Sequence, residues 1–544
     1  MSKFYITTPI YYVNDSPHIG HTYTTAAADV LARYHRMIGE QVFFMTGTDE
    51  HGAKIEERAK ESGKKPQQFV NEISAQFQLS WDELNISHDN FIRTTDAEHI
   101  KAVQKALQYM YDRGDIVSGK YQGLYCRGCE QYKSERDLVE GICPDHRVKP
   151  EKINEECYSF KLGKYQNQLL KKIKNDELKI LPLEKKNEII SFYEREKLQD
   201  VSFSRKNVHW GIPLPWDKSQ TAYVWADAFL NYLTGLGWSG DITPHTPLYK
   251  GGKNPPNPPA SSAGQALYQG GIMQWWPPDL QLMSKDILRV HATIWPAMLL
   301  SLNLPLPKQL FVHGYFLIYG QKMSKSLGNV ITPEQMIKKY GVDGTRYLLL
   351  SATSFGHDAD ISWRWFNEKY NADLANGIGN LVARSITLAE NIKDKKFSPE
   401  ANLPLAEKIK NTNKKFQNDF KESWKKYEES FKNIQIDLAL KVVNEQVKFL
   451  DSYITINKPW EMIKNNNKKT GEVIYNILES LRQLAWMIWP FMPDTADKIW
   501  ESLGLDQVKE KEKKFKEAIR WGGLSSHINV KKSEALFPRI TNLN

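Results

Sequence analysis

Phe4-Tyr5-Ile6-Thr7-Thr8 is a run of residues that favour strands. Pro9, Asn14, Asp15 and Pro17 follow and break any regular element. Ala26, Val30, Leu31 and Tyr34 then recur at helical spacing, which predicts a helix over Tyr23 to Met37. Gln41-Val42-Phe43-Phe44-Met45-Thr46 predicts a second buried strand, ending at Gly47-Thr48-Asp49-Glu50-His51-Gly52. Lys54 to Ser62 predicts a second helix. Strand, helix, strand, helix implies a parallel sheet with right-handed crossovers. Ligands of such sheets bind at the carboxyl ends of the strands. The loop after Thr8 and the pair Asp49 and His51 both fall at such ends.

From about residue 115 to 218 the texture changes to frequent turns, with helical spacing only at Lys164–Asn175 and Asn187–Leu198. This stretch reads as an insertion in the first domain. Strand-and-helix texture resumes near Thr221 with Tyr223-Val224-Trp225-Ala226-Asp227. Gln281-Leu282-Met283 and Phe311-Val312-His313-Gly314 predict further strand ends. Asn254 to Gly271, rich in Pro, Ala, Ser, Gly and Asn, predicts an irregular surface loop. From Glu368 nearly to Leu505 the spacing is helical, broken by a lysine-rich polar stretch at Asn465 to Thr470, and this predicts a helical bundle. The last twenty-odd residues are mixed and are expected to pack back on the surface.

Composition narrows the class. The chain has 544 residues, 41% of them apolar, which suits two to four domains. No run approaches the roughly 18 uninterrupted apolar residues of a membrane span, and the start shows no basic-then-apolar leader. A cytoplasmic location is expected. Lys and Arg outnumber Asp and Glu 73 to 64, for a net charge of +9, compatible with a polyanionic partner. Three of the four cysteines fall within Cys126 to Cys143. In a chain without a leader, that clustering favours metal over disulfides. Cys126-x-x-Cys129 with Cys143-x-x-His146 offers three thiolates and an imidazole, a set suited to one tetrahedral, structural Zn2+ with no open position for water. Cys157 is left over as a buried thiol.

Two loops carry the candidate chemistry. Ser16-Pro17-His18-Ile19-Gly20-His21 stands where a helix begins. Free N–H groups and a positive dipole end suit such a place to phosphate. Gly20 would let a flat ligand approach the backbone, and the imidazoles could donate to phosphate oxygens. About 300 residues later, after the strand-like run Tyr315-Phe316-Leu317-Ile318, comes Lys322-Met323-Ser324-Lys325-Ser326-Leu327-Gly328-Asn329. Its lysines are mobile point charges that can meet a phosphate as charge develops.

The pair resembles the HIGH and KMSKS signatures of the class I aminoacyl-tRNA synthetases, and both match in full. More narrowly, the chain resembles the methionyl-tRNA synthetases over nearly its whole length. The likeness runs from Tyr5-Ile6-Thr7-Thr8-Pro9-Ile10-Tyr11-Tyr12-Val13-Asn14 to Glu534-Ala535-Leu536-Phe537-Pro538-Arg539-Ile540. It includes Gly47 to Gly52, Tyr223 to Ala228 and Lys285-Asp286-Ile287.

The resemblance implies an α/β Rossmann-like parallel-sheet catalytic domain with an inserted zinc-knuckle connective domain, followed by an α-helical bundle that binds the anticodon. The expected boundaries are 1–114 and 219–315 for the two catalytic halves and 115–218 for the insertion. The KMSKS loop and stem-contact region takes 316–366, the helical domain 367–520 and the tail 521–544. It implies a methionine–tRNA ligase that uses ATP with Mg2+, L-methionine and tRNA(Met), for initiation and elongation.

The same resemblance implies that His18, His21, Lys322 and Lys325 are catalytic, with Lys325 the main transition-state cation. Asn14, Gly20, Lys285, Asp286 and Ser324 join them around ATP. Methionine falls to Ile10, Tyr12, Trp225, Ala228, Tyr232, Ile287 and His291, with Asp49 on the ammonium. Arg205 matches a position near the adenylate. Asn380, Arg384 and Trp460 match anticodon-reading positions, and the zinc knuckle is expected to brace the insertion over the acceptor end of tRNA. Members with an extra C-terminal dimerisation domain differ from this chain, and a monomer is expected.

Two departures stand out. Ser284 replaces a usual glycine before Lys285, and Asn254–Gly271 is longer and richer in proline than expected. Three other readings compete: a leucyl-, isoleucyl- or valyl-type synthetase, a non-catalytic tRNA-binding paralogue, and a nucleotidylyltransferase. The insertion is too short for an editing domain, which argues against the first. Both nucleotide motifs are intact, against the second, and the helical domain argues against the third.

Overall fold

The computed structural model describes residues 2–126, 131–133, 135, 138–144, 147–241, 274–323, 328–392, 406–525, 528–532 and 534–541, with backbone alone at 121–122, 131–133, 154–155 and 406–415. The Asn254–Gly271 loop and the second half of the KMSKS stretch lie outside the described residues.

A parallel sheet organises the first part of the chain. Strand Lys3–Thr7 pairs with Gln41–Asp49 on one side and Leu280–Ser284 on the other. Leu280–Ser284 continues to Gln309–His313, and that strand to Lys179–Leu181. Asn90–Arg93 covers the far edge of Gln41–Asp49, while Tyr11–Tyr12 resumes the line of the first strand beyond Pro9 and pairs at Thr48 and Asp49. The second and later strands thus depart to opposite sides of the first, the arrangement that opens a crevice at the carboxyl ends. Thr7, Asp49, Ser284 and His313 all stand at those ends.

One strand differs from the expected layout. Lys179–Leu181 falls within 115–218, the stretch read as an insertion, yet it forms an edge of the central sheet. A three-residue strand with only Ile180 buried shows no period to read. The rest of that stretch does build a separate antiparallel sheet, in which Ile116–Cys126 pairs with Glu151–Phe160 and Gln131–Lys133.

Helix Ile19–Met37 begins four residues before the predicted start. Thr22, Thr24 and Thr25 hide the helical period, but all are buried. The helix is enclosed on most sides because Ala26, Ala27 and Ala28 allow close approach. It packs on the sheet, on helix Pro333–Leu350 and on the helical domain, where Tyr34 stacks on Phe431 at 3.9 Å. Arg346, fully buried, ties these parts together. It bonds to Asp29 Oδ2 at 2.6 Å and to the carbonyls of Leu84, Pro490 and Phe491.

The C-terminal part is helical, as its spacing predicts, through Ala406–Lys432, Ile436–Asn457 and Thr470–Ile488. Tyr370–Gly379 is a π-helical stretch, with the Asn380 N–H reaching back to Ala375 O. The last residues return onto it: Asn371 exchanges two hydrogen bonds with the Ile540 backbone. No helix among the described residues is long and apolar enough to cross a membrane.

Candidate active site

At the carboxyl ends of the strands lies a cavity of about 910 Å³. Its nucleotide-type end is built by helix Ile19–Met37. His18 caps that helix: its Nδ1 accepts the Gly20 N–H at 3.1 Å, and His21 Nδ1 accepts the His18 N–H at 3.3 Å. Each ring therefore carries its proton on Nε2. Burial holds both imidazoles neutral, His18 down to about 4 and His21 well below its ordinary value.

The expectation of free N–H groups at this helix start is overturned. The Ile19 N–H goes to Ile331 O, that of Gly20 to His18 Nδ1 and that of His21 to His18 O. A side-chain cap satisfies the backbone that a bare helix end would leave open. The role of Gly20 shifts accordingly. A Cβ there would stand 2.9 Å from His18 Cε1, so the missing side chain makes room for the capping ring. Met323 Cε would be 3.6 Å away, so the two signature loops meet at this glycine.

The other end is aromatic. Ile10, Tyr12, Asp49, Trp225, Ala228, Tyr232, Ile287 and His291, eight residues distant in sequence, all line the same cavity. Burial pushes His291 down to about 4. Its Nδ1 faces Ile287 O at 2.9 Å and so keeps the proton, leaving Nε2 to accept from Tyr232 Oη at 2.8 Å. Tyr5 Oη in turn donates to Tyr232 O at 2.9 Å. The polar atoms of Tyr232 and His291 are thus satisfied, whereas the Trp225 Nε1–H is buried without a hydrogen-bond partner among the described residues. Asp49 ends its strand 8% exposed, a buried carboxylate at the mouth of that wall.

Asn14, Gly20, Asp286 and Lys322 also line the cavity. With its amide turned to satisfy both groups, Asn14 donates to Tyr12 O and accepts from Lys54 Nζ, each at 3.0 Å. Lys285 does not line it: its Nζ pairs with Asp358 at 2.6 Å. Nor does Arg205, whose guanidinium lies 4.3 Å over the Tyr125 ring. The resemblance places both near the nucleotide, and in the structure both have partners within the chain. Ser324 and Lys325 fall outside the described residues. Ser284 does line the cavity, and its hydroxyl donates to Asp286 Oδ1, so the departure at this position is absorbed by an acidic neighbour.

Sequence reasoning missed Phe229, Asn231, Tyr315, Lys54 and Arg58, which also line the cavity. The last two stand four apart on helix Ala53–Glu61, a spacing that was visible.

Two further places bear on the sequence expectations. Cys126 and Cys143 are buried, and the backbone reverses beyond Cys143, with Cys143 N bonded to Val148 O and Arg147 N to Cys143 O. Cys129 and His146 lie outside the described residues, and among the described residues no three candidate ligands converge. In the helical part, Arg384 lies 5.0 Å over the ring of Trp460, which is 41% exposed. Asn380 is exposed one turn before Arg384 on helix Asn380–Glu390.

Comparison with known proteins agrees with this geometry. Residues 4–157 and 146–386 match the family described as tRNA synthetases class I (M), and 413–536 match the anticodon-binding domain of tRNA ligases. A methionine–tRNA ligase of Clostridium acetobutylicum is 41% identical over 99% of this chain and 78% of its own length. The chain belongs to the methionyl-tRNA synthetases. The corresponding ligase of Streptomyces coelicolor is 36% identical, over 99% of this chain and 96% of its own length. A Mycobacterium tuberculosis methionyl-tRNA synthetase bound by methionyl-adenylate superposes with a TM-score of 0.85 at 31% identity, covering 99% of this chain and all of that one.

Proposed function

We propose that the cavity holds methionine against Trp225, Tyr232 and His291 and ATP against His18, His21 and Lys322, and that the two react between them. The chain is a methionine–tRNA ligase: it activates methionine with ATP to methionyl-adenylate and pyrophosphate, then transfers methionine to tRNA(Met). The observation that carries the assignment of residues is the meeting of two distant groups in one cavity of about 910 Å³, an apolar aromatic wall and a pair of neutral imidazoles.

The chemistry follows from those groups. Asp49 takes the substrate ammonium and aims its carboxylate toward the helix start. One oxygen of the methionine carboxylate attacks the α-phosphorus of ATP as the bond to the pyrophosphate oxygen breaks in line. Such a displacement needs positioning and charge neutralisation more than proton transfer. The Nε2–H groups of His18 and His21 donate to phosphate oxygens, and Lys322 and Lys325 meet the charge that builds on the leaving group. Mg2+ bound with ATP supplies further neutralisation.

A thioether packs well on aromatic rings, but apolar fit alone separates substrates by only roughly 1–3 kcal/mol per methylene. The Tyr232–His291 pair adds to this because the Tyr232 proton and the His291 Nε2 lone pair are already engaged with each other, which disfavours a substrate side-chain hydroxyl. Zn2+ would be held by Cys126, Cys129, Cys143 and His146, a donor set that suits a closed structural site, and the burial of the first and third cysteines supports this. Asn380, Arg384 and Trp460 would take the anticodon, with unpaired bases stacking on the exposed ring. A cytoplasmic location fits the reaction.

Methionine-dependent ATP–pyrophosphate exchange tests the assignment. Exchange stimulated by leucine and not methionine would sink it. Lys325→Ala should lose activation while keeping methionine binding. Metal analysis of the purified protein should find one zinc per chain, and none would remove the knuckle.

A further inference from the structure

Tyr315 gathers two cations that come from different parts of the chain. Lys322, the first lysine of the KMSKS stretch, sets its Nζ 3.9 Å from the centre of the Tyr315 ring. Lys285, after the Leu280–Ser284 strand, sets its Nζ 4.5 Å from the same centre. The ring itself lines the cavity beside Lys322 and Ser284.

The backbone that carries this ring is fixed on both sides. Tyr315 N donates to Asp358 Oδ1 at 2.8 Å, and Tyr315 O accepts from Ala359 N at 2.9 Å. The preceding residue must be glycine for this to happen. A Cβ on Gly314 would lie 2.3 Å from His357 C and 2.4 Å from Asp358 N, where no substitution fits without moving backbone. Asp358 also binds Lys285, through both carboxylate oxygens at 2.6 and 2.9 Å. The backbone beneath the ring is therefore fixed, and one cation is tethered beside it.

We propose that Tyr315 is a positioning residue for adenylate formation: its ring holds the Lys322 ammonium at the phosphate end of the cavity until ATP takes that charge. A ring face attracts an ammonium without neutralising it. An ammonium over a ring keeps its charge available to an arriving phosphate. Lysine, a flexible stem with a point charge, gains most from such a guide. The inference rests on the reading of Lys322 as a phosphate-side cation.

The test compares Tyr315→Leu, which removes the ring, with Tyr315→Phe, which keeps it and loses only the hydroxyl. Tyr315→Leu should lower kcat for ATP–pyrophosphate exchange about ten-fold and raise KM for ATP, with KM for methionine unchanged. Transfer from preformed methionyl-adenylate to tRNA should be unaffected, because the leaving pyrophosphate has already gone. Tyr315→Phe should stay within about three-fold of the parent. In a Lys322→Ala background, Tyr315→Leu should add nothing. Should Tyr315→Leu not fold, Tyr315→Met removes the ring with a longer, flexible side chain.

Parent-like exchange in Tyr315→Leu overturns the proposal. So does an equal loss in Tyr315→Phe, which would assign the effect to the hydroxyl, and so does a loss that persists without Lys322. If Lys322→Ala by itself leaves exchange unchanged, the reading of Lys322 fails first and the proposal with it.

Discussion

His18 and His21 lie with their rings stacked, centroids 3.8 Å apart and planes 18° from parallel, and each gives its Nδ1 to a backbone N–H. The arrangement makes two neutral donors from residues that are usually half-charged near neutral pH. Burial is the first cause for both, and the His18 ring further discourages a proton on His21. Replacing either by Ala should lower kcat for pyrophosphate exchange by about 10²–10³, the usual loss for one preorganised donor, with KM for methionine unchanged. The pH profile of the parent should show no inflection near 6.5 from this pair, since His18 titrates only at about 4. An acid limb at 6.5 that disappears in both variants would contradict the neutral assignment.

Asp343 carries an opposite signature in the helix that follows the KMSKS stretch. Its Oδ2 accepts the Thr495 N–H at 2.6 Å, its Oδ1 is buried with no hydrogen-bond partner, and burial raises its pKa from 3.8 to about 6. A carboxyl raised in the folded state binds more protons there than in the unfolded chain. Stability is therefore lost as pH rises through the window from about 4 to 6, and the cost persists above it. Asp343→Asn keeps an acceptor for Thr495 and removes the charge. It should be more stable than the parent at pH 8 by up to about 3 kcal/mol, because each tenfold change in proton affinity between the folded and unfolded chain is worth about 1.36 kcal/mol. Near pH 4 the two should be equal. Urea melts at the two pH values check this, and a variant less stable at both would refute it.

What could be read from the chain, and what could not, divides by the range of the physics. The strand Gln41–Asp49 and the long C-terminal helices show their periods because one face or all faces are buried over many residues. The loop His18–His21 was read at the start of helix Ile19–Met37, but its role as a side-chain cap was not, because histidine is outside the usual capping residues. Lys179–Leu181 was missed because a short edge strand has too few positions to show alternation. Within the site, the residues that line the cavity came through the resemblance, residue by residue. Lys285 and Arg205 fell outside the lining because Asp358 and Tyr125, far away in sequence, hold them. Tyr315 could not be singled out, because its meaning lies in where two lysines from separate loops converge.

Arg346 joins the helix that begins after His18 directly to the helical domain. Its four bonds reach Asp29, Leu84, Pro490 and Phe491, and both charges of the pair are fully buried. Asp29 is held well below the usual carboxylate range by Arg33 and Arg346 against the opposing, larger effect of burial on its own. Arg346→Met leaves three carbonyls and part of a carboxylate unserved, and should cost about 3–5 kcal/mol in urea unfolding. Arg346→Lys should recover little of it, because one ammonium cannot reach the directions that a guanidinium fork serves. Near-parent stability in either variant would mean that packing alone joins the two parts.

Trp460 is presented by structure that gains nothing from its exposure. Lys458 takes a left-handed conformation with φ of 46°, Pro459 opens the short helix Pro459–Lys464, and Arg384 covers one side of the ring at 5.0 Å. A large apolar ring left 41% exposed is a surface for another flat group. Stacking of an unpaired base on such a ring contributes about 1–3 kcal/mol. Trp460→Ala should therefore raise KM for tRNA by roughly 5- to 150-fold in aminoacylation and leave ATP–pyrophosphate exchange at the parent rate. Arg384→Gln should do the same with a weaker dependence on salt, since it removes one cation from the RNA side. A parallel loss of exchange would show that the ring acts through the fold of the helical domain, and an unchanged KM for tRNA would remove Trp460 from the anticodon surface.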